Sequence, residues 1–243
     1  MNVTIVIPAR YASTRFPGKP LAPLLGRPMI LWVVERASAV HGAEVLVAAD
    51  DERIARVVEE SGGRAVRTRA THASGTDRVA EVALGLASEI VINLQGDEPL
   101  IEPPAVEALI AAFDDASVRL ATLARRLDDE ATIADPNVVK VVFDRRGNAL
   151  YFSRSPIPSR TRAARTPIFQ HVGIYGYRRQ TLLELAGLPP SPLELAEGLE
   201  QLRALENGIP IRVLETPYEA HGIDTPGQLA VLEEMLRTRT PRV

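Results

Sequence analysis

The stretch IVINLQGDEP, residues 90–99, is the part of the chain that decides the fold. Residues 90–94 show almost no polar alternation, which is typical of a strand buried on both faces of a sheet. The polar residues after this strand are then expected at the carboxyl edge of the sheet, where α/β proteins bind their ligands. The segment predicts a central strand with a functional loop directly after it.

On both sides of this strand, short apolar runs alternate with helical patterns, which indicates βαβ units around a mostly parallel sheet. The predicted strands are residues 3–7, 44–48, 65–68, 90–94, 120–124, 138–143, 172–177 and 211–214. The predicted helices are residues 29–39, 52–61, 76–87, 104–113, 180–185, 192–207 and 226–237. The chain is therefore expected to belong to the α/β class.

No internal repeat or Ser/Gly linker divides the 243 residues, so we expect one domain over residues 1–243. The stretch from 144 to 170 is less regular and predicts an excursion from the sheet rather than a linker. It carries several prolines and several arginines, among them Arg146, Arg154, Arg160, Arg162 and Arg165.

The composition excludes several classes of protein. The chain has no cysteine, which rules out disulfides, thiolate catalysis and Cys-ligated zinc. Its net charge of −3 comes with no basic tail, so nothing indicates a nucleic-acid partner. No apolar run reaches the roughly 18 residues that a membrane span requires, and the start MNVTIVIPAR has no basic region typical of a signal peptide. We expect a cytoplasmic protein.

Lysine is rare in this chain: of its 28 basic residues, only Lys19 and Lys140 are lysines. A compact ammonium and a planar guanidinium are not equivalent, so a lysine retained here can indicate a need for a point charge, as at a phosphate. For Lys140 a simple remnant of compositional bias is an equally good interpretation.

The first predicted strand runs into the loop IPARYASTRFPGKPL, residues 7–21. It places Arg10, Arg15 and Lys19 in one βα connection, which favours binding of a phosphate ligand. The loop matches neither the P-loop nor the GxGxxG pattern. For any one of these cations, a solvated surface side chain is the simpler interpretation, but three together favour a site.

Two carboxylates are candidates for a metal site. Asp97 follows the buried strand, and Mg²⁺ takes one or two carboxylates and completes its shell with water and phosphate oxygens. Glu98 is alternatively a cap of the following helix. In HGIDTPGQL, residues 221–229, the pattern alone favours Asp224 as a helix cap; if Thr225 does the capping, Asp224 is free to join Asp97.

Two further segments are weaker signals. ATHASGTDR, residues 70–78, offers small residues at a helix start, although an ordinary capped loop is the simpler interpretation. In HVGIYGY, His171 and Tyr175 are four residues apart, so on a strand they share a face. A structural pair is the simpler interpretation of these two, and Glu200 and Gln201 fall on a mostly solvated helix.

Taken in order, IPARYASTRFPGKPL, HASGTDR, QGDEP, DPNVVKVV, ALYFSRSPIP, HVGIYGY, SPLELAEGLEQLRALENG and HGIDTP resemble the 3-deoxy-manno-octulosonate cytidylyltransferase (CMP-Kdo synthetase) family, from about residue 2 to about residue 235. The resemblance implies a Rossmann-like mixed sheet of the nucleotide-diphospho-sugar transferase type. It also implies activation of Kdo with CTP and Mg²⁺ for lipopolysaccharide synthesis, by a homodimer whose sugar-binding and dimerisation portion lies around residues 144–210.

The same resemblance implies roles for individual residues. Those for catalysis are Lys19, Arg10, Arg15 and Asp97, and those for Mg²⁺ are Asp97 and Asp224. Those for the nucleotide are Arg10, Ser13, Arg15, Lys19, Ser74, Arg78, Gln95 and Asp97. Those for the sugar acid are His171, Tyr175, Glu200, Gln201 and Arg154, with Arg160 and Arg162 as alternatives to Arg154 at the sugar carboxylate.

Two other functions stay open at this point. A related cytidylyltransferase for sialic acid or for an amino variant of Kdo would keep the phosphate loop and change the sugar pocket. A non-catalytic nucleotide-binding protein on the same fold is the alternative from another class, against which the presence of Lys19, Asp97 and Asp224 argues.

Overall fold

The computed structural model describes residues 1–13, 15–161 and 166–239. Its strands are β1 (Val3–Ala9), β2 (Pro23–Leu24), β3 (Arg27–Pro28), β4 (Ala43–Ala49), β5 (Ala65–Arg67), β6 (Ile90–Asn93), β7 (Leu120–Leu127), β8 (Lys140–Phe143), β9 (Ala149–Ser153), β10 (Ile168–Arg178) and β11 (Ile211–Glu215). Its α-helices are α1 (Met29–Ser38), α2 (Glu52–Glu60), α3 (Gly75–Ala83), α4 (Pro103–Ala111), α5 (Glu130–Ala134), α6 (Arg179–Ala186), α7 (Pro192–Glu197), α8 (Gln201–Glu206) and α9 (Pro226–Arg239). No helix in these ranges is long and apolar enough to cross a membrane.

The chain folds into two compact units, and neither is a contiguous half of the sequence. The first unit comprises Met1–Val3, Ala87–Ile92 and Pro104–Glu219, and the second comprises Thr4–Leu86, Asn93–Pro103 and the chain from Ala220 onward. Because the chain passes several times from one unit to the other, no single linker marks the boundary. This interleaving explains why the sequence indicates one continuous domain.

The strands of the first unit lie in the order β11-β7-β10-β6, with β8 between β10 and β9. β11 runs parallel to β7, whereas β10 is antiparallel to both β7 and β8, so the sheet is mixed. In β6, the side chains of Ile90, Val91 and Ile92 are fully buried. The prediction of a strand buried on both faces at this position is confirmed.

In the second unit, β1 lies beside β4, and β4 pairs in parallel with β5. The helix α9 packs against α1 through a buried apolar cluster in which Leu229 and Leu232 of α9 contact the neighbourhood of Met29. Ile223, which precedes α9, belongs to the same cluster. Burial of this cluster therefore anchors the chain segment that carries Asp224, since apolar area removed from water stabilises by about 25 cal/mol per Å².

The structure corrects two predicted elements. The helix expected over residues 192–207 is two helices, because Gly198 adopts a left-handed conformation with φ of 63° and ends α7 before α8 begins. The irregular stretch from 144 to 170 contains a strand that was not predicted, β9, which pairs with β8. An Asp144 turn joins the two strands, with its carboxylate accepting the Asn148 N–H at 2.8 Å.

Candidate active site

The ammonium group of Lys19 lies where three segments of the second unit meet. Its Nζ donates to Asp97 Oδ2 at 2.6 Å, to the Ile223 carbonyl at 2.8 Å and to Asp224 Oδ1 at 3.4 Å. The Lys19 side chain is 16% exposed. The ammonium donates to three oxygens from one nitrogen, which no single nitrogen of a guanidinium can do, since each carries at most two hydrogens. The predicted grouping of Lys19, Asp97 and Asp224 is therefore present.

Two arginines of the first loop add positive charge. Arg15 Nη2 lies 3.0 Å from Asp224 Oδ1, and its side chain is largely exposed. Arg10 is exposed as well. Ser13 is used within the loop, since its hydroxyl accepts the Phe16 N–H at 3.3 Å. The loop thus offers cations to an incoming ligand next to two carboxylates.

Backbone and side-chain hydrogen bonds bring Asp224 to Asp97. The Ile223 N–H donates to the Asp97 carbonyl at 3.0 Å. The His221 N–H donates to Glu98 Oε2 at 3.0 Å. The following helix α4 begins only at Pro103, so Glu98 is not at its cap position, and the carboxylate instead accepts from the chain that leads to Asp224.

The start of α9 shows which residue caps that helix. The Gln228 N–H donates to Thr225 Oγ1 at 3.3 Å, and Gln228 Oε1 accepts the Thr225 N–H at 3.0 Å. These reciprocal bonds form a capping box. The hypothesis that Thr225 does the capping is confirmed, and the carboxylate of Asp224 is left to face Lys19 and Arg15.

The residues expected to contact the nucleoside also lie in the second unit. Ser74 caps α3, with its hydroxyl accepting the Asp77 N–H at 3.1 Å, so its side chain has the ordinary capping role considered above. Gln95 Nε2 donates to Asn93 Oδ1 at 3.1 Å. Arg78 lies in the first turn of α3 with a side chain only 3% exposed. Their roles in nucleotide binding stay predictions.

Gly96 is a site residue that the sequence analysis missed. A Cβ at this position would lie 2.8 Å from the Pro8 carbonyl oxygen, closer than atoms can approach. Only glycine therefore lets the loop that carries Asp97 lie against the end of β1. The glycine directly before the candidate metal ligand was the available signal.

In the first unit, His171 and Tyr175 point to the same face of β10, as predicted. Their ring centroids are 5.3 Å apart, although the register of β10 against β7 shifts between Val172 and Tyr175. His171 Nε2 lies 3.0 Å from Thr122 Oγ1. The Thr122 hydroxyl also lies 2.8 Å from the Ile174 carbonyl, and giving its one proton to that oxygen leaves His171 as the donor through Nε2.

Both rings are uncharged near neutral pH, and burial shifts their pKa values further in that direction. It lowers the pKa of His171 to about 3. Burial, with the charges of Tyr177 and Glu200, raises the pKa of Tyr175 well above its usual value. The face therefore offers hydrogen-bonding groups without charge, and the Glu200 carboxylate is close enough to Tyr175 to influence it.

Gln201, at the start of α8, has an unusual environment. Its side chain is 6% exposed, and its Nε2 is a buried nitrogen that has no hydrogen-bond partner among the described residues. A buried amide donor without an acceptor costs about 1 to 3 kcal/mol, so such a group requires an explanation. An acceptor on a bound ligand would supply one.

Arg154 is engaged with backbone oxygens. Its guanidinium donates to the carbonyls of Glu197 at 2.8 Å and Pro136 at 3.1 Å. Arg160 forms an ion pair with Glu130, and Arg162 lies outside the described residues. The assignment of an arginine to the sugar carboxylate stays a prediction.

Lys140 is fully buried in β8. Its Nζ donates to the carbonyls of Asp135 at 2.9 Å, Val138 at 2.5 Å and Arg154 at 2.5 Å. Burial lowers the pKa of this ammonium. Each of the two lysines thus places one nitrogen among three oxygens, which is a reason for lysine rather than arginine at both positions. At Lys140 that reason is structural, not phosphate binding.

Comparison with known proteins gives a consistent result. A family model described as cytidylyltransferase matches residues 4–213. The 3-deoxy-manno-octulosonate cytidylyltransferase of Geobacter metallireducens is 52% identical over 97% of this chain and 98% of its own length. The protein of the same name from Geobacter sulfurreducens is 50% identical over 98% of this chain and 100% of its own length.

Solved structures agree with the sequence relatives. A CMP:2-keto-3-deoxy-manno-octonic acid synthetase complexed with CTP superposes with a TM-score of 0.94 and 46% identity, over 99% of this chain and 100% of that one. The 4-diphosphocytidyl-2C-methyl-D-erythritol synthase of Anaerococcus prevotii has a TM-score of 0.65 at 14% identity, covering 97% of this chain and 98% of that one. The latter shares the fold alone, and the predicted fold type is confirmed.

Proposed function

Because the chain belongs to the family of 3-deoxy-manno-octulosonate cytidylyltransferases, we propose that it activates Kdo with CTP and releases pyrophosphate. The chain is a nucleotidyltransferase. The observation that carries the proposal is the Lys19 ammonium, which lies between Asp97 and Asp224 in a loop rich in cations. A lysine beside carboxylates that can hold a metal ion is a recurring feature of proteins that transfer phosphoryl groups from nucleoside triphosphates.

In the proposed reaction, the anomeric hydroxyl oxygen of Kdo bonds to the α-phosphorus of CTP. The bond from that phosphorus to the bridging oxygen breaks, pyrophosphate leaves, and the hydroxyl proton passes to water. Lys19 and Arg15 hold and neutralise the phosphates, and Arg10 adds charge from the same loop. Transfer of this kind depends mainly on positioning and electrostatic stabilisation, so no covalent enzyme intermediate is needed.

We also propose that Asp97 and Asp224 hold Mg²⁺. The donor set fits the ion: Asp97 Oδ2 and Asp224 Oδ1 lie 2.6 and 3.4 Å from the same ammonium nitrogen, so the two carboxylates are close enough together to share one ion beside Lys19. Magnesium takes one or two protein carboxylates and leaves its other positions to water and phosphate oxygens. When bound, the ion would supply further positive charge at the phosphates.

For the sugar acid, the proposal assigns the face of β10 and the start of α8. His171 and Tyr175 present uncharged polar groups, and Glu200 adds an acceptor. The buried Nε2 of Gln201 is a hydrogen-bond donor that lacks an acceptor among the described residues. Kdo carries several hydroxyl groups and a carboxylate that match such a set. Arg154 remains the proposed contact for that carboxylate.

The family resemblance also supports a role in lipopolysaccharide synthesis, a cytoplasmic location and a homodimer. A reaction that consumes CTP fits the compartment in which nucleoside triphosphates are made. Analytical ultracentrifugation of the purified chain tests the dimer, and a monomer at micromolar concentration would contradict it.

Pyrophosphate release tests the function. The protein is incubated with CTP and Mg²⁺ and with Kdo, an amino variant of Kdo, or sialic acid. We expect release with Kdo at a kcat/KM at least about 100-fold above that with sialic acid. A preference for another sugar acid would show that the chain is a cytidylyltransferase for that sugar instead. No pyrophosphate release with any of the three would contradict catalysis.

A further inference from the structure

Asp50, directly after β4, is a buried carboxylate that none of the proposed roles uses. Its side chain is 7% exposed. Its two oxygens serve different parts of the second unit: Oδ1 accepts the backbone N–H of Tyr11 at 2.9 Å, and Oδ2 lies 3.4 Å from Nη2 of Arg78. One carboxylate thus joins the first loop to the first turn of α3.

Tyr11 determines the shape of the first loop. Its carbonyl oxygen accepts the N–H groups of Ser13 at 3.0 Å and Gly18 at 2.9 Å, which draws the two ends of the loop together. The Arg53 guanidinium stacks 3.5 Å from the centre of the Tyr11 ring. A Cβ on Gly18 would lie 3.3 Å from the same ring. The tyrosine is therefore held at its ring and at its backbone.

Arg78 depends on Asp50 in a different way. Its Nη1 donates to Thr68 Oγ1 at 2.5 Å and to the Arg69 carbonyl at 3.2 Å, both of which are neutral groups. Burial lowers the pKa of Arg78, and the Asp50 carboxylate opposes that effect. Loss of the carboxylate would leave a buried guanidinium without its ion-pair partner, which is strongly unfavourable.

From these contacts we infer that Asp50 is a positioning residue that couples the phosphate-binding loop to Arg78. The triphosphate and the base of the nucleotide are then bound by one connected framework, because a shift of Asp50 displaces Tyr11 and Arg78 together. The inference rests on the proposed function, which assigns the loop to the phosphates, and on the predicted role of Arg78 at the nucleoside.

The test uses two probes that each occupy one half of the nucleotide site. Inorganic pyrophosphate reports on the loop, and cytidine reports on the nucleoside half, both as inhibitors of the CTP reaction. We expect Asp50→Ala to raise both inhibition constants about tenfold, which corresponds to roughly 1.4 kcal/mol each. Asp50→Asn keeps an acceptor for the Tyr11 N–H and loses the charge that faces Arg78. It should therefore raise the inhibition constant of cytidine at least about threefold more than that of pyrophosphate.

Glu194→Gln is the matched control. Glu194 is also a buried carboxylate paired with a buried arginine, Arg203, and it lies in the first unit. The control should lower the melting temperature as Asp50→Asn does while the KM for CTP stays within about twofold of wild type. A purely structural role for Asp50 would give the same outcome as the control.

Other outcomes overturn the coupling. If Asp50→Ala raises the inhibition constant of only one probe, the phosphate and nucleoside halves of the site are independent. If Asp50→Ala does not fold, the test relies on Asp50→Asn alone. A ratio of the cytidine to the pyrophosphate inhibition constant equal to that of wild type would then contradict the assignment of Arg78 to the nucleoside. Failure of the proposed function looks different, because wild-type protein would then release no pyrophosphate from CTP in the presence of Kdo.

Discussion

The Lys19 Nζ atom lies 2.6 Å from Asp97 Oδ2, so the cation and the anion expected to meet the triphosphate contact each other across 78 positions of sequence. Both side chains are mostly shielded from water, with 16% and 28% exposure. A charged hydrogen bond in such a place is sensitive to the shape of each partner, not only to its charge.

Asp97→Asn should nearly abolish catalysis and leave the fold intact. An amide still accepts a hydrogen bond from Lys19, but it cannot offset the charge of a divalent ion. We expect kcat to fall at least about 100-fold, about 2.7 kcal/mol, with an unchanged circular dichroism spectrum. Asp128→Asn, at an 80% exposed side chain, is the control and should leave kcat unchanged. Turnover like that of wild type at saturating Mg²⁺ would refute the metal assignment.

Lys19→Arg should be a severe change despite the retained charge. A guanidinium cannot place one nitrogen among Asp97, Asp224 and the Ile223 carbonyl. We expect kcat/KM for CTP to fall at least about tenfold. The reciprocal exchange Arg15→Lys, at a side chain 67% exposed, should lower kcat/KM for CTP by less than about threefold. Equal losses for the two exchanges would contradict a geometric requirement at Lys19.

Gln201→Met should separate sugar binding from stability. Methionine keeps the volume and removes a buried donor that has no partner, so the melting temperature should stay the same or rise. If Nε2 donates to Kdo, the KM for Kdo should rise about tenfold while the KM for CTP changes less than about twofold. A parallel rise in both constants would assign the residue to the nucleotide site or to the core.

His171 should make the protein less stable in acid. Its pKa is about 3 in the folded chain, against an ordinary value of about 6.5 in the unfolded chain. Between these values the unfolded state binds the extra proton, so the free energy of unfolding falls as pH falls below about 6.5. Urea titrations at pH 7.5 and 5.5 measure this loss, which is expected to be about 1.4 kcal/mol from this group. His171→Gln should show a flatter dependence on pH, and an identical slope would contradict the assignment.

The sequence predicted the chemistry of the site better than its geometry. Asp97 and Lys19 stand out because of their residue types and their positions after predicted strands, and the structure places them in contact. Asp50 was not predicted, since its Oδ1 bonds to a backbone N–H that any residue could donate. Sequence patterns reveal which side chains bear charge, but not which distant backbone group a carboxylate will reach.

The same division applies to the fold. The buried run of β6 and the periodic α1 were clear in the sequence, because hydrophobic periodicity reports burial directly. The break at Gly198 within residues 192–207 was not clear in the sequence, since a glycine in a helical pattern is compatible with either a continuing helix or a helix end. Strand β9 was hidden among prolines and arginines, and its pairing with β8 depends on tertiary context.

The burial of Lys140 has a practical consequence for following the unfolding of this chain. A protease that cuts only after lysine has two candidate bonds, and the one after Lys19 is followed by Pro20, which resists cleavage. The other lies in a strand where the lysine is fully enclosed. Cleavage of that bond requires β8 to open. The rate at which two fragments appear therefore reports on the opening of the first unit.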